Sequence, residues 1–148
     1  MYNGFAYWNN KVYAWCSFNN LRAWNFYDLF SATPAPSATA NLQQGYQAAN
    51  IAISASGQTN GIVWATLPDG GNSIMDNNLT STFHTGKLIA YDANTLAQLT
   101  LPASSNLNGQ YYQKLTPPVI ANGKVYVPTV SSVPPASSKV LVYGLGGY

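Results

Sequence analysis

The chain has 148 residues and a formal net charge of +2, which is enough for one domain with an apolar core. Charged residues make up 7% of the sequence, against roughly 25% in typical soluble domains. The 6 basic residues stand singly, so the cluster of positive charge that binds phosphate backbones is missing. We therefore expect no nucleic-acid partner.

No stretch approaches the roughly 20 apolar residues of a membrane span, so we expect none. The opening MYNGFAYWNN lacks the basic start and apolar centre of a signal peptide. Because glutamate is absent and 14% of the residues are aromatic, the surface must be polar mainly through Asn, Ser, Thr and Gln. Such surfaces are frequent in exported β-proteins. We expect an extracellular or periplasmic protein whose signal peptide was lost with a missing N-terminal part. Cys16, the single cysteine, is expected to be a buried strand thiol.

The first unit of the chain spans about residues 4–30. Alternating apolar and aromatic residues predict three strands in it: Phe5–Trp8, Lys11–Cys16 and Leu21–Phe26. Asn pairs at residues 9–10 and 19–20 predict turns, since Asn tolerates positive φ. Tyr27–Phe30 is expected to supply a short fourth strand. Residues 31–49, rich in Ala, Ser, Thr and Pro, are interpreted as a surface connector.

The second unit spans about residues 50–101 and contains an insertion at 67–86. Its four predicted strands are Ile51–Ala55, Gly61–Thr66, Lys87–Ala93 and Leu96–Leu101. Residues 56–60 are a predicted turn between the first two of these strands. Residues 102–113 are interpreted as a second connector.

The third unit spans about residues 114–145. Its three apolar runs are Pro117–Ala121, Lys124–Thr129 and Lys139–Tyr143. Asn122-Gly123, between the first two runs, is the pair that favours a tight hairpin turn. A fourth strand is not apparent, so this last unit is expected to be incomplete.

The three units align with one another. Val12, Val63 and Val125 coincide in the second strand, and each is followed by an aromatic residue. The third strands carry a matching aromatic residue after a small or branched one, and these aromatics are Trp24, Tyr91 and Tyr143. The spacing is near or a little above the roughly 40–50 residues of propeller blades. We therefore predict an all-β fold, a partial β-propeller of about three four-stranded antiparallel blades with the last blade incomplete.

An open arc of three blades would leave an apolar sheet face at each end, because propellers typically carry four to eight blades. Covering those faces would require the remaining blades of a longer propeller or self-association of the chain. We expect one or the other as the principal partner, with a glycan or protein ligand as a further partner.

Several segments resemble the C-terminal blades of bacterial propeller proteins with repeats of the pyrroloquinoline-quinone (PQQ) type: Gly4–Trp15, Asn60–Thr66, Gly86–Leu96, Lys114–Thr129 and Lys139–Leu145. The blade-locking pattern of that family is Ala-x-Asp-x-x-Thr-Gly followed by Trp. Ala90, Asp92 and Thr95 match it, whereas Leu96 replaces the glycine and no Trp follows. The resemblance implies turn and blade-packing roles for Asp92 and Thr95.

The quinone-dependent dehydrogenases of this family resemble one another in an adjacent cysteine pair and in acidic calcium ligands. This chain has 1 cysteine and no glutamate, so no residue of a quinone site can be assigned and we expect no cofactor. The resemblance implies the fold far more specifically than any activity, because propellers with such repeats include many that bind no quinone.

A few residues are candidates for chemistry. His84, Asp69, Asn72 and Asp76 lie in or beside the insertion. The oxygen ligands of the last three suggest calcium, but they lack the alternating frame and bidentate glutamate of an EF-hand, so turn-forming roles are preferred. His84 has no second histidine for a metal pair, so a surface histidine is preferred over a ligand-binding one.

Aromatic residues are candidates for stacking on sugars. The tyrosine pair at 111–112 stands in a connector and is the candidate for a carbohydrate ligand, while the tryptophans sit at repeated strand positions that favour packing between blades. We thus expect no catalytic residues and a noncatalytic scaffold from an exported propeller. The alternatives are the C-terminal part of a PQQ-dependent dehydrogenase with its active site in missing blades, and a carbohydrate- or cell-surface-binding module.

Overall fold

The computed structural model describes residues 4–43, 49–69, 85–101, 106–113, 115–130 and 138–144. These residues form strands and short 3-10 helices, and the strands assemble into 3 antiparallel sheets. The predicted all-β class is therefore confirmed. The predicted insertion falls largely on residues 70–84, which lie outside the described residues.

The first sheet has the strand order β1-β2-β3-β4. Its strands are β1 (Ala6–Trp8), β2 (Lys11–Trp15), β3 (Asn20–Asn25) and β4 (Ala38–Gln43). The turn at Asn9 and Asn10 is confirmed, since their φ angles are 47° and 57°. The second turn lies slightly earlier than predicted, because Phe18 has the positive φ and Asn20 already begins β3.

The prediction of a fourth strand at Tyr27–Phe30 was wrong. Residues Phe26–Phe30 form a 3-10 helix, and β4 lies instead in the segment interpreted as a connector. Alternation is present in β4, but alanines mark most of its inward side: Ala40 is buried, and Ala38 and Leu42 pack against the same core. Small residues give a weak hydrophobic signal, which is why the pattern was missed.

The second sheet has the order β5-β6-β7-β8. Its strands are β5 (Asn50–Ser56), β6 (Thr59–Pro68), β7 (Gly86–Asp92) and β8 (Gln98–Leu99). The turn between β5 and β6 is shorter than predicted, because the strands extend to Ser56 and Thr59 around Gly57, which has a φ of 59°. β8 is also shorter than predicted, since Leu96 has a φ of 57° and belongs to the preceding turn.

The third sheet contains β9 (Tyr111–Tyr112), β10 (Val119–Ala121), β11 (Lys124–Val130) and β12 (Ser138–Gly144). β9 and β10 pair with opposite ends of β11, on the edge that β12 leaves free. The described part of this sheet is therefore three strands wide, with β9 and β10 sharing one edge of β11. Asn122 and Gly123, with φ angles of 50° and 69°, confirm the hairpin turn. The predicted connector 102–113 contains β9 and a 3-10 helix, Leu107–Gly109.

The predicted sequence repeat is also a repeat of strand register. Val12 pairs with Trp24, Val63 with Tyr91 and Val125 with Tyr143. Directly opposed residues of an antiparallel pair point to the same face of the sheet. The residues aligned from the sequence thus occupy equivalent positions in all 3 sheets.

The second sheet lies between the other two. One core cluster joins the first sheet to one face of the second and includes Tyr13, Trp15, Ala23, Val63, Ala65, Leu67 and Tyr91. A second cluster joins the opposite face to the third sheet and includes Leu88, Val125 and Val127, with Trp64, Ile120 and Tyr143 packed against it. This position explains why the last four residues of β6 are all buried, as in a sheet covered on both faces.

Corresponding strands of neighbouring sheets lie side by side. β5 contacts β1 of the first sheet and β10 of the third. The first strands of the 3 sheets therefore form one edge of the stack, and the outer strands β4 and β8 lie on the other side. Cys16 follows β2 and is half-buried with a free thiol, so the prediction of a fully buried strand thiol was wrong.

Candidate functional site

The outer face of the third sheet is apolar and exposed. Val119, Tyr126 and Val142 form one row across the sheet, and Val140 lies opposite Pro128 on the same face. The exposed fractions of Val119, Val140 and Val142 are 59%, 60% and 53%. Contiguous exposed apolar side chains of this kind mark interaction surfaces more often than isolated ones do. We call this surface the valine face.

Aromatic side chains are exposed at the opposite end of the stack. The ring of Phe26 packs edge-on against Tyr7, Tyr27 and Phe30, with centroid distances of 5.5–5.8 Å. Tyr7 is 59% exposed, Tyr27 75% and Phe30 76%. Phe26 is a half-buried residue at the start of the 3-10 helix, so the helix adds its rings beside the first sheet. We call these four residues the aromatic cluster.

Specific polar contacts lock the first sheet to the second. The Tyr13 hydroxyl donates to the Ala93 carbonyl at 2.8 Å in a buried site, and burial raises the pKa of Tyr13 to about 12, with Asp92 adding to the shift. Trp8 donates from Nε1 to the Gly57 carbonyl at 2.8 Å. Its ring also covers Gly61, where an added Cβ would meet ring atoms at 2.5 Å. A glycine is needed there because the tryptophan approaches the backbone closely.

The residues after β7 form a compact turn around Asp92. Its Oδ1 accepts hydrogen bonds from the backbone N–H of Asn94, the backbone N–H of Thr95 and the Thr95 hydroxyl, at 2.9, 2.9 and 3.0 Å. The hydrogen bond from the Thr95 backbone N–H is the main reason why the pKa of Asp92 lies below its usual value. Lys11 donates from Nζ to the Asn94 carbonyl at 3.1 Å, linking the first sheet to this turn. The turn role expected for Asp92 and Thr95 agrees with these contacts.

Leu96 stands where the family pattern has glycine. It has the positive φ that glycine adopts readily, and its side chain is nevertheless buried in the core between the first two sheets. Burial of the Leu96 side chain thus stabilises the fold, while its left-handed backbone conformation costs an L-residue roughly 1 kcal/mol.

Polar contacts also join the second sheet to the third. Asn50, which is buried, donates from Nδ2 to the Tyr112 hydroxyl at 2.9 Å and to the Gln113 carbonyl at 3.1 Å. Burial raises the pKa of the Tyr112 hydroxyl well above its usual value. The Tyr112 ring therefore lies between sheets, away from any surface open to a sugar, whereas Tyr111 is half-buried.

Of the candidate residues in the predicted insertion, the described part of the chain includes Asp69. Asp69 forms an ion pair with Lys87 at 3.6 Å, while Asn72, Asp76 and His84 lie outside the described residues. No group of three or more His, Cys, Asp or Glu side chains that could hold a metal ion occurs in the part of the chain that the structure describes.

The tryptophans are mostly packing residues, as predicted. Trp15 is buried, with its ring edge-on to Tyr91 at a centroid distance of 5.8 Å. Trp8 and Trp64 pack against the two core clusters from partly buried positions.

A cleft that the sequence did not suggest lies between the outer strands of the first two sheets. Its volume is about 320 Å³, and it is lined by Thr39, Asn41, Leu42, Tyr91, Thr95, Leu96, Ala97 and Gln98. One wall belongs to β4 and the other to β7, β8 and the turn between them. The sequence gave no sign of it because the β4 wall was interpreted as a connector.

The fold and these surfaces define an all-β protein of stacked antiparallel sheets. Comparisons with protein-family models, with curated proteins and with solved structures give no match. Among the described residues, no helix has the length and apolar character needed to cross a membrane.

Proposed function

We propose that the chain is an arc of a β-propeller with PQQ-type repeats and acts as a noncatalytic interaction scaffold of an exported protein. The observation that carries this proposal is the repeated register. In each sheet the same valine position opposes an aromatic residue, and the next residue of the second strand points to the opposite face.

The direction of these faces is consistent through the stack. Val63 faces the first sheet, and Val125 faces the second. These equivalent residues therefore both point towards the sheet that precedes their own in the chain. Tyr13 and Trp64 each come one residue after an aligned valine. Their side chains point towards the sheet that follows their own in the chain. Contact between the first strands of neighbouring sheets is the arrangement expected around a propeller axis.

The same logic predicts the chemistry of the partner. By its position in the repeat, the valine face is equivalent to the forward face of the first sheet, which is covered by the second. The occupant that fits it is therefore another sheet of the same repeat, from a longer chain or from a second copy. The aromatic cluster lies at the other end and supplies a surface for the next sheet in the ring.

No described residue favours the quinone-dependent enzyme over the scaffold. One observation supports the carbohydrate-binding alternative. The cleft between β4 and β8 is lined by uncharged residues and could hold a ligand, whereas Tyr111 and Tyr112 do not form such a site.

The proposal is tested by the mass of the chain in solution, measured by light scattering across a concentration series. We expect an oligomer that dissociates when Val142→Lys places a charge on the valine face. The matched control is Gln58→Lys, which adds the same charge at the exposed β5–β6 turn and should leave the mass unchanged. A soluble monomer at every concentration, with the valine face open, would overturn the proposal for this chain.

A further inference from the structure

Each sheet carries two rows of three opposed residues, one row on each face. The rows on one face have an aromatic residue between two aliphatic ones: Ala6, Tyr13 and Ala23; Ala52, Trp64 and Ala90; Val119, Tyr126 and Val142. The rows on the other face have a valine in the middle and an aromatic residue on the third strand: Tyr7, Val12 and Trp24; Ile53, Val63 and Tyr91; Ile120, Val125 and Tyr143. We call these the aromatic-centred and the valine-centred rows.

Within the chain, an aromatic-centred row always meets a valine-centred row. The row of Tyr13 shares a core with the row of Val63, and the row of Trp64 packs on the row of Val125. One row of each kind then remains at the two ends of the stack. The aromatic-centred row that remains belongs to the valine face, where Val119 is 59% exposed.

The valine-centred row that remains lies on the outer face of the first sheet. It consists of Tyr7, Val12 and Trp24, and it points away from the second sheet because the adjacent Tyr13 points towards it. Tyr7 is 59% exposed, and its ring packs against Phe26 of the aromatic cluster. The two free rows are therefore the two halves of a contact that the chain already makes twice within itself.

Charge agrees with the same pairing. Lys11 stands one residue before an aligned valine, and its Nζ donates to the Asn94 carbonyl at 3.1 Å, in the turn after the third strand of the following sheet. Lys124 occupies the equivalent position in the third sheet and is exposed. At the other end of the stack, the segment after the third strand contains Asp28, which is also exposed. Contact between the two free rows would thus bring Lys124 and Asp28, which carry opposite charges, towards each other.

The number of copies follows from the geometry of the stack. A contact between two different surfaces of identical chains either closes into a ring or continues as a filament. The first strands of neighbouring sheets contact each other, as they do around a propeller axis, and propellers typically have four to eight sheets. Each chain has 3 sheets, so two copies supply six and three copies would supply nine. Two copies fit a closed ring.

We propose that two copies of this chain close head to tail into one ring. The valine face of each copy packs on the row of Tyr7, Val12 and Trp24 of the other, and Lys124 faces Asp28 across each of the two junctions. This inference rests on the proposed scaffold function and adds the partner, its orientation and the number of copies.

The first test uses the whole chain with one charged substitution at either end. Val119→Asp changes the valine face and Tyr7→Lys the opposite end, and both side chains are exposed, so each variant should fold. The unchanged chain should reach twice its mass of 15.9 kDa in sedimentation across a concentration series. Each variant alone should dimerise at least about 100-fold more weakly, because an unpaired charge is buried in an apolar contact. Gln58→Lys, at an exposed turn, is the control and should dimerise normally.

Mixing the two variants distinguishes the orientations. One junction of the mixed dimer is unchanged, and the other brings the two introduced charges of opposite sign together, so native mass spectrometry should show a dimer with one copy of each variant. A dimer that survives Tyr7→Lys but not Val119→Asp would mean that two valine faces meet; it would overturn this inference and leave the scaffold proposal standing. A mixture that stays monomeric, or assemblies of three or more copies, would overturn it too. A monomeric unchanged chain would overturn both proposals.

The second test exchanges the charges at the junction. Lys124→Glu and Asp28→Lys should each weaken dimerisation roughly 10-fold at low salt, because like charges then meet at both junctions. The double variant should recover to within about 3-fold of the unchanged chain, since it restores opposite charges. Failure of the double variant to recover would overturn the assigned pairing of the two ends.

Discussion

The two faces of the third sheet carry the same kind of residue in opposite surroundings. Val125 and Val127 are buried against the second sheet, whereas Val140 and Val142 on the other face are more than half exposed. In the second sheet, both faces are covered. The difference shows that each sheet has apolar side chains on both of its faces. Which of the two faces is buried depends on where a neighbouring sheet packs.

The largest loss of unfolding free energy is expected from substitutions of Leu96, which is buried in the core between the first two sheets. Leu96→Ala should lower the free energy of unfolding by about 2–5 kcal/mol, because it empties a buried site in the core between the first two sheets. Leu96→Gly should be less harmful by about 1 kcal/mol, since glycine accepts the positive φ of this position. Urea denaturation measures both. Ala97→Gly, at a neighbouring exposed position, is the control and should destabilise slightly.

Val127 and Val142 allow the buried and the exposed face of the third sheet to be compared directly. Val127→Ala should cost about 2–3 kcal/mol of unfolding free energy, because a fully buried side chain loses two methyl groups. Val142→Ala should cost less than about 0.5 kcal/mol for an isolated chain, since its side chain is exposed. Both values come from denaturant unfolding at low protein concentration. A large cost at Val142 that grows with protein concentration would mean that the valine face is covered in solution.

Alkaline pH should weaken the interface between the first two sheets. Burial raises the pKa values of both Tyr13 and Tyr91 to about 12. Above pH ~10 the tyrosines of the unfolded chain ionise first, so stability that is complete below that pH is lost as the pH rises towards 12. The loss is up to about 2–3 kcal/mol for each tyrosine.

Unfolding midpoints at pH 9, 10 and 11 measure this loss. Tyr91→Phe is the matched variant, because phenylalanine keeps the ring and removes one ionisation. Its midpoints should fall less steeply than those of the unchanged chain, and equal slopes would contradict the assigned burial of the Tyr91 hydroxyl.

A small loss of unfolding free energy is expected in the partly exposed turn around Asp92. Asp92→Ala should cost on the order of 1 kcal/mol, since three hydrogen bonds to one oxygen are lost while water replaces part of them. The pKa of Asp92 is lowered in the fold. Its contribution is therefore present above the unfolded pKa of about 3.9 and is lost as the pH falls through the folded value. Thermal unfolding at pH 7 and pH 3 tests this, because Asp92→Ala should show a smaller difference between the two.

Much of the strand content was predictable from local signals. The turn pairs at Asn9-Asn10 and Asn122-Gly123 place hairpins correctly because positive φ is a property of the residue itself. The valines and aromatics aligned from the sequence were predicted as equivalent strand positions, because the repeat and its alternation can be read over a few residues; their pairing across the strands came from the structure. β4 was not predicted, since an alternation of alanines with polar residues is a weak signal until a neighbouring sheet covers it.

The candidate sites were less accessible to sequence reasoning. The cleft needs β4 on one side and the turn after β7 on the other, and these walls are distant in the chain. Tyr112 looked like an exposed connector residue and is instead buried with Asn50, a contact that forms only when the second and third sheets meet.

The sequence by itself determined the all-β class, most hairpin turns and the repeat that aligns the sheets, because these depend on backbone preferences and on alternation over a few residues. Only the tertiary structure decided which faces are buried, which tyrosine hydroxyls find partners and where a cleft remains. Those outcomes depend on how one sheet meets the next, and contacts between residues 49 or more positions apart leave no local pattern to follow.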